Sequence, residues 1–116
     1  MKYLFVGEER SELAINMGVT WEDGRLAAKQ LFDALDYCGI DSGECQFTNM
    51  FEDPDMTLIH KYSSKSCKRV VAMGNRVKRK LDELGIPYLF IYHPAARGKI
   101  RKKEVYCEHV KNKLIF

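Results

Sequence analysis

Apolar side chains fall along this chain in two alternating textures. Short, nearly continuous apolar runs occur at residues 2–6, 45–50, 69–73 and 87–92. Each is too short for a helix, and Gly7, Gly74 and the pair His93-Pro94 close three of them. Runs of this kind predict strands of a parallel sheet buried on both faces. Between them, apolar positions recur at three-to-four spacing, which predicts helices. Over 24–38 the stripe is Leu26, Ala27, Gln30, Leu31, Ala34, Leu35 and Cys38, stopped by Gly39. A short helix is expected at 55–62, followed by a Ser- and Lys-rich loop at 63–68. The next helix is expected at 77–84, with Asn75 as cap and Gly85 as stop. The last runs over 102–114, its stripe formed by Val105, Tyr106, His109, Val110, Lys113 and Leu114.

Strands alternating with helices predict an α/β fold, a three-layer sandwich around a central four-stranded parallel sheet. Right-handed crossovers then bring every strand's carboxyl end to one edge. Sheets of this kind bind ligands in the crevice outside that edge. The expected strands deliver Gly7-Glu8, Thr48-Asn49, Gly74-Asn75 and His93-Pro94 there.

At 116 residues the chain is read as a single domain, 1–116. With 46% hydrophobic and 30% charged residues it is expected to be globular rather than disordered. Its longest apolar stretches are about five residues, against the ~20 that span a membrane. The amino-terminal run is too short for a signal peptide and meets Glu8-Glu9 at once, so a cytoplasmic protein is expected. Cys38, Cys45, Cys67 and Cys107 include no Cys-x-x-Cys pair, and neither a metal nor another cofactor is expected.

Charge is unevenly spread. Residues 1–58 carry four basic and twelve acidic side chains, a net of −8; residues 59–116 carry fifteen and four, a net of +11. A positive surface facing a polyanion is one reading, and two halves that interleave and cancel is the other. Arg97, Lys99 and Arg101 follow His93 directly and make a phosphate-attracting rim.

The chemistry converging on the sheet edge is an amide, an imidazole and a carboxylate. Asn49 can read the amide-like edge of a base. His93 can donate to an oxygen gaining negative charge, and Glu8 can orient a water. Together they suit cleavage of a sugar–base bond. Each also has a plain structural reading: Glu8 capping a turn or pairing with Arg10, Asn49 satisfying backbone, His93 packed at a strand end.

In order and content these segments resemble the uracil-DNA glycosylase superfamily. Phe5-Val6-Gly7-Glu8 is similar to the first motif of its thermostable bacterial and archaeal branch. Gly18-Val19-Thr20-Trp21 sits where that branch has an aromatic that stacks on the flipped base. Phe47-Thr48-Asn49 resembles the strand whose Asn reads uracil, and Val70–Asn75 the apolar strand ending in Leu-Gly. His93-Pro94-Ala95-Ala96-Arg97 resembles the His-Pro-Ser motif, with Arg97 in the loop that wedges into the duplex. The chain departs from the branch at Glu9-Arg10-Ser11, where the family has Pro-Gly, and lacks the cysteine pair ahead of the first strand, so no iron–sulfur cluster is implied.

The resemblance implies a short, cluster-free DNA glycosylase that hydrolyses the N-glycosidic bond of a flipped deaminated base, above all uracil. It makes Glu8 and His93 catalytic, Gly7, Trp21 and Asn49 base-binding, and Arg97, Lys99 and Arg101 DNA-binding. The implied partner is single-stranded or mismatched DNA, with no membrane and no obligate protein partner. The alternatives are a catalytically inactive nucleic-acid-binding protein of the same fold and an unrelated nucleotide-binding module.

Overall fold

The structure, a computed structural model, describes residues 2–63 and 69–115. Four strands form one sheet in the order β2-β1-β3-β4: β1 Leu4–Gly7, β2 Gln46–Asn49, β3 Val70–Met73 and β4 Leu89–Ile91. All three pairings are parallel, with Leu4 opposite both Gln46 and Val70, and Val71 opposite Leu89. The two central strands, β1 and β3, are buried at every position, which explains their unbroken apolar runs.

Five helices surround the sheet: α1 Glu12–Met17, α2 Ala27–Tyr37, α3 Met56–Tyr62, α4 Asn75–Glu83 and α5 Lys103–Leu114. One face carries Tyr3, Phe5, Val71, Met73 and Ile91 against Leu31, Ala34 and Leu35 of α2 and Tyr106, Val110 and Leu114 of α5. The other carries Leu4, Val6, Val70 and Ala72 against Ile59 of α3 and Val77 and Leu81 of α4. The handedness of crossovers accounts for this division. The chain moves one way across the sheet from β1 to β2, then the other way through β3 to β4. The helices on those two directions must therefore lie on opposite faces. Helices on both faces of a parallel sheet are compatible with a three-layer α/β sandwich.

Several boundaries differ from the expectation. Helix α1 was not expected; Ser11 caps it, accepting from the Ala14 N–H at 3.1 Å, and Gly18 ends it in the left-handed region. It buries none of its residues, so no apolar stripe marked it. Helix α2 begins at Ala27, which leaves Leu26 outside it and 39% exposed. Helix α4 is capped by Gly74 rather than Asn75, which is its first residue. On α5 the buried stripe is Tyr106, Cys107, Val110 and Leu114, while Val105 and Lys113 are exposed. Only Ser63 of the expected 63–68 loop is described; the rest of it, Cys67 included, lies outside the described residues. Cys38, Cys45 and Cys107 are free thiols, and burial pushes all three above the ordinary thiol value. No helix among the described residues is long and apolar enough to cross a membrane.

Candidate functional site

Alternation along the strands puts the site on the face covered by α2 and α5. Into and along β1 the residues pointing that way are Tyr3, Phe5 and then Gly7; on β2 they are Phe47 and Asn49; along β4 and just beyond it, the period runs Leu89, Ile91, His93. Gly7 supplies no side chain at its turn in that series. Trp21 occupies the space instead: a Cβ on Gly7 would lie 2.9 Å from Trp21 Cζ2 and 2.8 Å from Asn49 Oδ1. Trp21 stacks on Phe47 at 6.4 Å between centroids, and Phe47 stacks on Phe5 at 5.7 Å. The aromatic core thus continues outward to the carboxyl edge of the sheet.

The connection from β1 to α2 presents Trp21 there. Gly7 leads into Glu8, Ser11 opens α1, and Trp21–Asp23 forms a single 3-10 turn. The Thr20 N–H donates to Asp23 Oδ2 at 2.7 Å, and the Gly24 N–H closes the turn on the Trp21 carbonyl. This segment and the His93 loop form the walls of an open cleft of about 640 Å³, lined by Glu8, Arg10, Leu13, Trp21, Arg25, Leu26, His93 and Ala95 among others. Its size suits a base with its sugar.

His93 is set by the turn that follows it. Its Nδ1 accepts from the Ala95 N–H at 3.1 Å, so in the neutral ring the proton sits on Nε2. Burial holds its pKa below the ordinary imidazole value, opposed by the nearby Glu8 charge. The ring is therefore a neutral N–H donor at physiological pH. It meets Trp21 edge-on, 5.9 Å between centroids. Its Cβ packs near Gly74, whose φ of +97° favours glycine. The preceding peptide is held on both sides by α5: Tyr92 N–H donates to His109 Nε2 at 2.9 Å, and Tyr106 O–H donates to the Tyr92 carbonyl at 2.8 Å. Burial and the Lys113 charge push His109 down too.

Glu8 and His93 lie together in the cavity wall, with Trp21 beside them and Gly7 behind. Asn49 does not line the cavity. It stands behind Trp21, accepting the indole N–H at 2.8 Å through Oδ1 and donating through Nδ2 to Glu52 at 3.3 Å. Arg10 pairs with Glu52 at 3.1 Å, so the alternative Glu8–Arg10 pair does not form. The Glu8 side chain has no hydrogen bond or ion pair among the described residues.

Arg97, Lys99 and Arg101 are exposed beyond His93, with Lys99–Arg101 in a 3-10 turn tied to α2 by Gln30 donating to the Arg101 carbonyl. Arg76, Lys78, Arg79 and Lys80 lie on α4 on one face and Lys103, Lys111 and Lys113 on α5 on the other, so much of the charge asymmetry along the sequence is spread over both layers.

Sequence reasoning missed Arg25, Leu26 and Glu52. Leu26 lines the cavity with φ of +57°, a conformation costing a bulky residue about 1–3 kcal/mol. No local signal marks such a residue. The Ser11 and Gly18 caps were the available sign of α1. Among the described residues no cluster of three or more His, Cys, Asp or Glu side chains is placed to hold a metal ion. Comparisons with protein-family models, with curated proteins and with solved structures return no match.

Proposed function

We propose that this protein is a DNA glycosylase of the uracil-DNA glycosylase type, which takes a flipped deaminated base into the cavity between Trp21 and His93 and hydrolyses its bond to the sugar. The observation that carries this reading is the convergence of a neutral Nε2–H donor, a carboxylate with no hydrogen bond or ion pair among the described residues, and an aromatic wall around one cavity, from segments far apart in sequence. The indole offers a face for a planar ring to stack on. As the C1′–N bond breaks, its electron pair leaves with the base and negative charge grows on the base's carbonyl oxygens. His93 donates its Nε2–H to one of them without first having to gain a proton. Glu8 orients the water that adds to C1′ and receives the proton this water gives up. Arg97, Lys99 and Arg101, exposed just past His93, hold the phosphates on either side.

One observation favours a binding module of the same fold instead: the Asn49 amide is turned to Trp21 and Glu52 rather than into the cavity. The two readings part in a base-release assay on uracil-containing single- and double-stranded DNA. Release by the purified protein, lost in His93→Ala, supports the glycosylase. Salt-sensitive DNA binding without release of uracil, hypoxanthine or xanthine leaves the binding module.

A further inference from the structure

A chain of four residues ends on the indole that walls the cavity. Arg10 donates to Glu52 through its backbone N–H at 3.1 Å and through Nε at 3.2 and 3.1 Å to the two carboxylate oxygens. Glu52 accepts from Asn49 Nδ2, and Asn49 Oδ1 accepts from Trp21 Nε1. The backbone reinforces the link, with the Glu52 N–H donating to the Asn49 carbonyl at 3.3 Å. The chemistry of the three side chains dictates the order. An indole N–H only donates and an ionised carboxylate only accepts, so the group between them must do both. An amide does, and the Glu52 charge fixes which way round it stands. Arg10 in turn holds the Glu52 carboxyl below the usual carboxylate range.

We infer that Asn49 and Glu52 are positioning residues that act through Trp21: they lock the indole against Gly7 and Phe47 as the fixed wall of the base pocket, and Asn49 does not itself read the bound base. Glu52 lies outside the cavity lining, so it acts on a ligand only through its neighbours, through Asn49 to Trp21 or through Arg10, and the emission of Trp21 reads the first of these routes. The inference rests on the base-pocket reading for its binding arm alone.

Trp21 is the one tryptophan of the chain, so fluorescence excited at the red edge, beyond the absorption of the six tyrosines, reports this residue and no other. In the free protein, Asn49→Ala and Glu52→Ala are both expected to shift the emission to the red, lower its anisotropy and increase quenching by acrylamide. Glu52→Gln keeps an acceptor for Asn49 but loses the charge that orients it, and is expected to shift in the same direction by less than Glu52→Ala. The binding probe is a uracil-containing single-stranded oligonucleotide. Loss of the indole hydrogen bond in Asn49→Ala is expected to weaken its binding about tenfold. In a Trp21→Phe background, which keeps the ring but not the N–H, the same change is expected to cost nothing further. Unchanged emission in both alanine variants overturns the inference, as does a full Asn49→Ala penalty in the Trp21→Phe background. Far-UV circular dichroism and the unfolding midpoint show that each variant is folded; Glu52→Gln carries the comparison if an alanine variant is not, and an unshifted Glu52→Gln then counts against the chain as drawn. The fluorescence arm needs no ligand. Shifted emission with no base release keeps the inference and rejects the activity, while base release with unshifted emission does the reverse.

Discussion

The two faces of the sheet use the same strands for different ends. The face under α3 and α4 is packed mainly with aliphatic residues, among them Leu4, Val6, Val70, Ala72, Val77 and Leu81. The face under α2 and α5 sets a run of stacked rings, Phe5, Phe47 and Trp21, within its aliphatic packing, and it opens past Gly7 onto the cavity. Aliphatic side chains interdigitate and fill space, whereas flat rings stack in columns that can be continued by one more ring. A planar ligand is such a ring. The second face is thus a core that runs into a site, and the first is a core that supports it.

The sharpest way to separate the two is His93→Ala. It is expected to slow base release about 10²–10³-fold while leaving oligonucleotide affinity nearly unchanged, because the donor acts on charge present only as the base departs. Single-turnover release measured beside a binding titration checks it. A parallel loss of affinity would move His93 from catalysis to ground-state binding.

Core truncation on the face under α3 and α4 makes the contrasting case. Leu81→Ala is expected to cost about 2–5 kcal/mol of stability, read by urea unfolding, with Trp21 emission of the folded protein unaltered. Gly7→Ala on the open face adds a single methyl group against Trp21 and Asn49. It is expected to cost about 1–3 kcal/mol and to shift that emission. Equal spectra for the two variants would erase the distinction between the faces.

Replacing Arg97, Lys99 and Arg101 together by Ala is expected to flatten the salt dependence of DNA binding. On a single strand, the slope of log K against log salt should fall by ~0.7 for each phosphate that is no longer neutralised. An unchanged slope would place the phosphates elsewhere.

The smallest effect is on pH dependence. His93 and His109, both on the open face, have folded pKa values below their unfolded ones. Below about pH 6.5 the unfolded chain takes up protons that the folded imidazoles resist. Stability is therefore expected to be level above that pH and to fall as pH drops beneath it. Unfolding midpoints from about pH 7.5 to 5.5 test this, and the double variant His93→Ala, His109→Gln should flatten the decline.

What the sequence determined by itself is the succession of elements. The buried strands at 4–7 and 70–73 declared themselves because a strand covered on both faces needs apolar residues at every position, and α2 and α5 because a helix covered on one side repeats every three to four. The delivery of Glu8 and His93 to one edge followed from parallel strands alone. Tertiary structure decided what these elements do with their ends. Helix α1 buries nothing, so hydrophobic spacing could not announce it. Asn49 was legible as a strand-end amide, but its partners are 28 and 3 residues away, and only the packing of Trp21 into the space above Gly7 turned it toward the indole. Hydrophobic period is a local property, written wherever an element meets the core. The direction of a hydrogen bond between side chains belongs to the pair, and it exists only once the fold has brought both partners together.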